Sequence, residues 1–157
     1  MTLGFKRQFE AHVQDGSKRH TVRGGARWKV GMRADLYIDP RQKGMRLLFR
    51  AHVVRVQTIR IAIQQLLPFP EFAGLRVAKI PDHVAVWIDG QQLSPDEVEH
   101  FFWSDGFRQP RRSATAQAIQ FWRKRLPFSG QIVHWDYDRR FTQLPEKRRR
   151  KPKQQAA

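Results

Sequence analysis

The run LLFRAHVVRVQTIRIAI, Leu47–Ile63, holds no glycine or proline and is dense in β-branched side chains. Such side chains favour a pleated, half-buried backbone. Leu48, Val54 and Val56 share a parity, and Arg55 and Gln57 oppose the latter two. The run therefore predicts one long strand, bent or continued into a second. Shorter strands and a few short helices are expected around it. Phe5, Phe9 and Val13, spaced by four, predict an amphipathic helix over Phe5–Gln14 that ends near Gly16. Ala34, Leu36 and Ile38 alternate and predict a strand over Arg33–Asp39. Val84–Ile88, Asp89-Gly90 and Gln91–Leu93 read as a hairpin, because Asp-Gly favours a tight turn.

Two helices follow. Ser94 is a good N-cap, Pro95 suits the first helical position, and Glu97 completes a capping box. Val98, Phe101 and Phe102 form the apolar side, and Gly106 ends the helix. The second helix is predicted over Ser113–Leu126, with Ala114, Ala118, Phe121, Trp122 and Leu126 as its buried stripe and Pro127 as its stop. Gln131–Tyr137 reads as a closing strand. Leu66–Pro81, LLPFPEFAGLRVAKIP, is apolar but broken by prolines, and is expected to be an ordered insertion packed on the rest. A long crossing strand with short strands and helices suggests an α+β class: a small twisted barrel with peripheral helices.

Charge narrows the function. Lys and Arg total 30 against 14 Asp and Glu, a formal net charge of +16. Such an excess attracts polyanions, nucleic acid first among them. A membrane surface would call for a basic amphipathic helix or a lipidation site, and the sequence shows neither. The chain has no cysteine, which excludes a disulfide framework and a thiolate zinc site. No signal-peptide-like apolar run opens it, so a cytoplasmic protein is expected. The last segment, EKRRRKPKQQAA, is too polar to bury a core. It is expected to be a disordered basic tail over 145–157, beside one domain over 1–144. Lys147, Arg148, Arg149 and Arg150 are candidate phosphate contacts in that tail.

The densest cationic stretch of the folded part is GSKRHTVRGG, Gly16–Gly25. Thr21 and Arg23 are two apart, so a strand starting at Thr21 puts them on one face. A turn over Lys18–His20 leading into that strand lets Lys18 join them in one cavity. Neighbouring cations disfavour the charged form of Lys18. A neutral lysine can take a proton from Thr21 or from water. Arg23 can hold a phosphate or a carbonyl oxygen, and Arg19 adds a further cation for the polyanion. Hydrolysis also needs a carboxylate from elsewhere. Asp105, in WSDGF at the exit of the first long helix, is the candidate; an ordinary helix-ending turn is the alternative reading of Asp105-Gly106. Trp28 is the candidate base-stacking ring, with a place in the core as its alternative. The six histidines show no metal-ligand spacing, and no P-loop follows Gly24-Gly25. No cofactor or metal is therefore expected.

GSKRHTVR resembles the G-x-K-x-x-T-x-R signature of ASCH domains, which belong to the PUA-like superfamily. RWKVGMRADLYI, the acidic turn WSDGF and the closing strand GQIVHW extend the likeness in outline from about Phe5 to Trp135. The resemblance implies a small PUA-like β-barrel with a central cleft for RNA or a nucleoside. It implies that Lys18 and Thr21 match the motif lysine and threonine, which in some members hydrolyse N4-acetylcytidine together with a glutamate. Other members are ribonucleases. Asp105 stands where that glutamate would align, one methylene shorter.

The expectation is thus an RNA-binding ASCH-type domain whose basic cleft accepts single-stranded RNA or a nucleobase. The alternative is a hydrolase in the same cleft, a ribonuclease or an N4-acetylcytidine amidohydrolase using Lys18, Thr21 and Asp105. A third reading makes the apolar insertion a docking element for a protein partner. No groove-reading motif separates RNA from DNA.

Overall fold

The computed structural model describes residues 1–64 and 83–137. Strand β4, Arg46–Gln64, runs through the whole molecule as one continuous element. Its first half pairs antiparallel with β3, Arg33–Ile38, and its last residues with β5, His83–Ile88. Strand β7, Phe128–Tyr137, lies along the opposite edge and pairs with Ala51 through Ile61. The register slips between Val53 and Arg55, which leaves Val54 exposed although it belongs to an apolar run. This bulge is the bend that the sequence allowed for.

Outer strands complete the sheet. β1, Thr2–Phe5, pairs parallel with β3, and β2, His20–Gly24, pairs antiparallel with β7. β6, Gln91–Gln92, closes the hairpin after β5. Asp89 and Gly90 both have positive φ, 50° and 84°, as a two-residue hairpin turn requires. Asp89 also accepts hydrogen bonds from the Thr58 backbone N–H (2.8 Å) and from Gln57 Nε2 (2.8 Å), which fasten the turn to β4.

Phe5 departs from expectation. It belongs to β1, opposite Ile38, and not to a helix. Only Phe9 and Val13 form the helical pair, on a 3₁₀ turn over Arg7–Phe9 that runs into α1, Glu10–Gln14. The spacing of four misled because a strand residue preceded a helix in phase. Helix α2 spans Pro95–Ser104, with the capping box of Ser94 and Glu97 formed in both directions. Helix α3 spans Ala114–Trp122 from a Ser113 cap and tightens into a 3₁₀ turn over Arg123–Arg125. Val98, Phe102, Ala114, Ala118 and Trp122 bury the helices against a core that includes Leu3, Leu36, Val53, Ile132 and Trp135. Ile132 and Val133, neighbours on opposite faces of β7, are both buried, so β7 is covered on both sides.

Among the described residues the fold is mixed α+β with a seven-stranded sheet and three α-helices. The sheet is open: no ladder joins β1 to β2. A closed barrel is therefore not what the ladders form. The Arg23 guanidinium of β2 donates to the Gly4 carbonyl of β1, so a side chain spans the gap where a ladder would close it. No described helix is long and apolar enough to cross a membrane. The insertion over 66–81 and the basic tail lie outside the described residues.

Gly130 sets the approach of β2 to β7. A Cβ there would stand 2.2 Å from the Arg23 carbonyl oxygen and 2.8 Å from Phe128 Cζ. Gly130→Ala is expected to push β2 off its partner and cost about 1–3 kcal/mol, as overpacking does. Thermal unfolding checks this; an unchanged melting temperature would show that the strand pair can yield.

Candidate functional site

The gap between β1 and β2 opens into a cavity of about 660 Å³. That is within the usual size range of small-molecule sites. Lys18, Thr21, Arg23 and Asp105 all line it. Lys18, Thr21 and Asp105 are buried on its floor, exposed by only 1%, 5% and 4%. Phe5, Phe9, Phe107 and Phe121 supply apolar wall. Of the residues the sequence singled out, these four polar ones are brought together.

Backbone geometry explains how. β2 begins at His20, so Thr21 and Arg23 share a face. Lys18 precedes the strand in an irregular stretch, where its N–H donates to the His12 carbonyl at 2.8 Å. That anchor frees Lys18 from strand alternation and lets it join Thr21 although the two are three residues apart. Asp105 is the C-cap of α2, and Gly106 follows with φ 98°. Asp105-Gly106 is thus a helix-ending turn and a cavity residue at once. Arg108 ties the two segments together. Its guanidinium donates to Ser17 Oγ (2.9 Å), the Ser17 carbonyl (3.1 Å) and the Trp103 carbonyl (2.8 Å).

The Lys18 ammonium donates to both the carboxylate Oδ1 and the backbone carbonyl of Asp105. Burial pushes the Lys18 pKa down and the Asp105 pKa up. Each group's charge opposes the shift of the other, but desolvation is the largest influence on both. Desolvation thus displaces the two pKa values toward one another. Lys18 Nζ also stands 5.1 Å from the Phe9 ring centroid. Burial lowers the Arg23 pKa to about 10, against the pull of Asp105, so Arg23 remains a cation.

His20 was not singled out by sequence. Its ring stacks on Phe101 at 5.3 Å and lies 5.3 Å from the His134 ring. Its Nε2 is buried without a hydrogen-bond partner, 3.8 Å from Asp105 Oδ1. Burial first, then the Lys18 charge, lower its pKa from 6.5 to about 3. The unfolded chain thus binds a proton near pH 6.5 that the folded chain refuses until about pH 3. This contribution is full above pH 6.5 and is lost as pH falls toward 3. His20→Phe is expected to abolish about 2 kcal/mol of the stability lost between pH 7 and pH 5. Melting curves at the two pH values check it; equal acid sensitivity of both proteins would contradict it.

One expectation is corrected. Trp28 does not line the cavity: it is 2% exposed in the core, and its backbone N–H and carbonyl are clasped by the Gln131 side chain at 3.0 and 3.2 Å. Arg19 is exposed, outside the cavity lining, and pairs with Asp136 at 3.3 Å. Lys147, Arg148, Arg149 and Arg150 lie outside the described residues. The sequence reading missed Lys6, Arg123, Lys124 and Arg125, which also line the cavity. The basic run FWRKR at the end of the second helix was the available signal. Among the described residues no group of three or more His, Asp or Glu is placed to hold a metal ion. No family model, no curated protein and no solved structure matches the chain.

Proposed function

We propose that this chain is an RNA-binding module that admits single-stranded RNA or a nucleobase into the cleft between β1 and β2. The observation that carries this reading is the convergence of Lys18, Thr21, Arg23 and Asp105 on one cavity. The aromatic walls suit an unstacked base, and a net charge of +16 suits a phosphate backbone. The architecture is proposed as a PUA-like barrel left open at the β1–β2 seam, in keeping with the resemblance of GSKRHTVR to ASCH domains. DNA is the competing polymer, and the cytoplasm is the proposed location.

One observation favours a second reading. Lys18 and Asp105 contact each other directly, with pKa values displaced toward one another by burial. Such a pair can take a proton from Thr21 or water and return it to a leaving group, the chemistry of a ribonuclease or an N4-acetylcytidine amidohydrolase. Incubating the protein with single-stranded RNA and with N4-acetylcytidine separates the readings. The binding module retains RNA in a filter assay and leaves both compounds intact. The hydrolase releases product, and Lys18→Ala and Thr21→Val both suppress it. Failure to retain single-stranded RNA, with both compounds intact, overturns both readings.

A further inference from the structure

The floor of the cleft does not account for the cations at its rim. Lys6, between β1 and the first 3₁₀ turn, and Arg123, Lys124 and Arg125, on the turn after α3, line the cavity. All four are exposed, whereas Lys18, Thr21 and Asp105 are buried, so the four mark its mouth. Among the described residues the lining holds two carboxylates, Asp39 and Asp105, and each already has a cationic partner: Arg7 at 3.1 Å and Lys18. None of the four mouth cations pairs with a carboxylate among the described residues.

Two of the four rest on aromatic rings instead. Lys6 Nζ lies 4.7 Å from the Phe121 centroid, and the Arg125 guanidinium lies 6.0 Å from the Trp122 centroid. A ring face steadies a cation without neutralising it, so both charges stay available to an anion. Arg125 also crowds Arg23 closely enough to help lower its pKa. An anion seated between such like charges relieves their repulsion. Cations at a helix C-terminus complement the helix dipole, which covers the placement of Arg123–Arg125 after α3. It covers neither Lys6, which comes from another segment, nor the convergence of all four on one cavity.

We propose that Lys6, Arg123, Lys124 and Arg125 form a phosphate subsite at the cleft mouth, so that the ligand is a nucleotide or a nucleotide unit of RNA and not a free nucleoside. The inference rests on the reading of the cleft as a nucleobase site. The base then lies inward, toward Phe9 and the Lys18–Asp105 floor, and the phosphate outward. Arginine forks and a lysine point charge are both suited to phosphate oxygens.

Calorimetric titration of the full chain tests this with the four ribonucleosides, their 5′- and 3′-monophosphates, and a tri-ribonucleotide. At least one monophosphate is expected to bind about tenfold or more tightly than its nucleoside, the scale of one charge-assisted hydrogen bond. Arg123→Gln/Lys124→Gln is expected to bring that monophosphate down to the nucleoside's affinity. Should this double variant melt early, Lys6→Gln, on a separate segment, is expected to narrow the same gap. Binding of the trinucleotide alone, weakened by either variant, supports the subsite and names RNA as the source of the phosphate. Equal affinity for nucleosides and monophosphates, or a preference that survives both variants, overturns the subsite and leaves the cleft reading standing. No binding of any probe overturns both.

Discussion

Asp105→Ala is expected to lower the melting temperature by on the order of 10 °C. The Lys18 ammonium is 1% exposed, and the Asp105 carboxylate is its ionic partner. Removing one member of a buried pair leaves an uncompensated charge, which typically costs about 3–5 kcal/mol. For a chain of this size each kcal/mol moves the midpoint by roughly 2–4 °C. Lys18 can shed its proton to escape the penalty, so the deficit of Asp105→Ala is expected to shrink as pH rises. The direction follows from linkage: a lysine whose pKa is lowered on folding gains stability as pH climbs toward its unfolded value. Lys18→Met/Asp105→Leu is expected to recover part of the loss, because an apolar pair of similar volume leaves no charge buried. Thermal melts of the single and double variants at pH 7 and pH 9 measure all of this. A shift for Asp105→Ala of no more than a degree or two would show that the pair is not buried as described.

Affinity for single-stranded RNA is expected to fall ~50- to 250-fold between 50 and 200 mM salt. Each phosphate neutralised on a single strand contributes about −0.7 to the slope of log K against log salt. The mouth subsite neutralises one phosphate, about −0.7, and the four cations of the basic run Lys147–Arg150 add up to about −2.8, for a slope of about −3.5. Arg123→Gln/Lys124→Gln is expected to flatten the slope by about 0.7, one phosphate's worth. Removing residues 145–157 is expected to flatten it further. Fluorescence anisotropy across a salt series checks these values. A slope near zero would mean that phosphate contacts do not drive binding.

Much of the fold was legible because its signals are local. The Leu47–Ile63 run, the Ser94–Glu97 capping box and the Asp89-Gly90 turn each act within a few residues, and each formed where expected. β1 was not legible. It holds only four residues, and its pairing is a parallel ladder to β3 some thirty residues away. Phe5 sits in phase with Phe9 and Val13, so periodicity alone assigned it to a helix.

The site divides in the same way. Strand alternation placed Thr21 and Arg23 on one face, and a loosened backbone at Lys18 brought it alongside them. The Lys18–Asp105 contact joins residues 87 apart. Asp105 was singled out only because hydrolysis needs a carboxylate and because of where the resemblance put WSDGF. His20 escaped because a buried, unpartnered imidazole leaves no trace in spacing. Trp28 is adjacent to the basic cluster in sequence, but the clasp by Gln131, 103 residues away, holds it in the core.

The most direct test is a crystal structure of the full chain with a bound tri-ribonucleotide. The account predicts one base in the β1–β2 cavity beside Phe9 and the Lys18–Asp105 pair, with its phosphate among Lys6, Arg123, Lys124 and Arg125. A trinucleotide bound elsewhere, with that cavity holding only water, would contradict it.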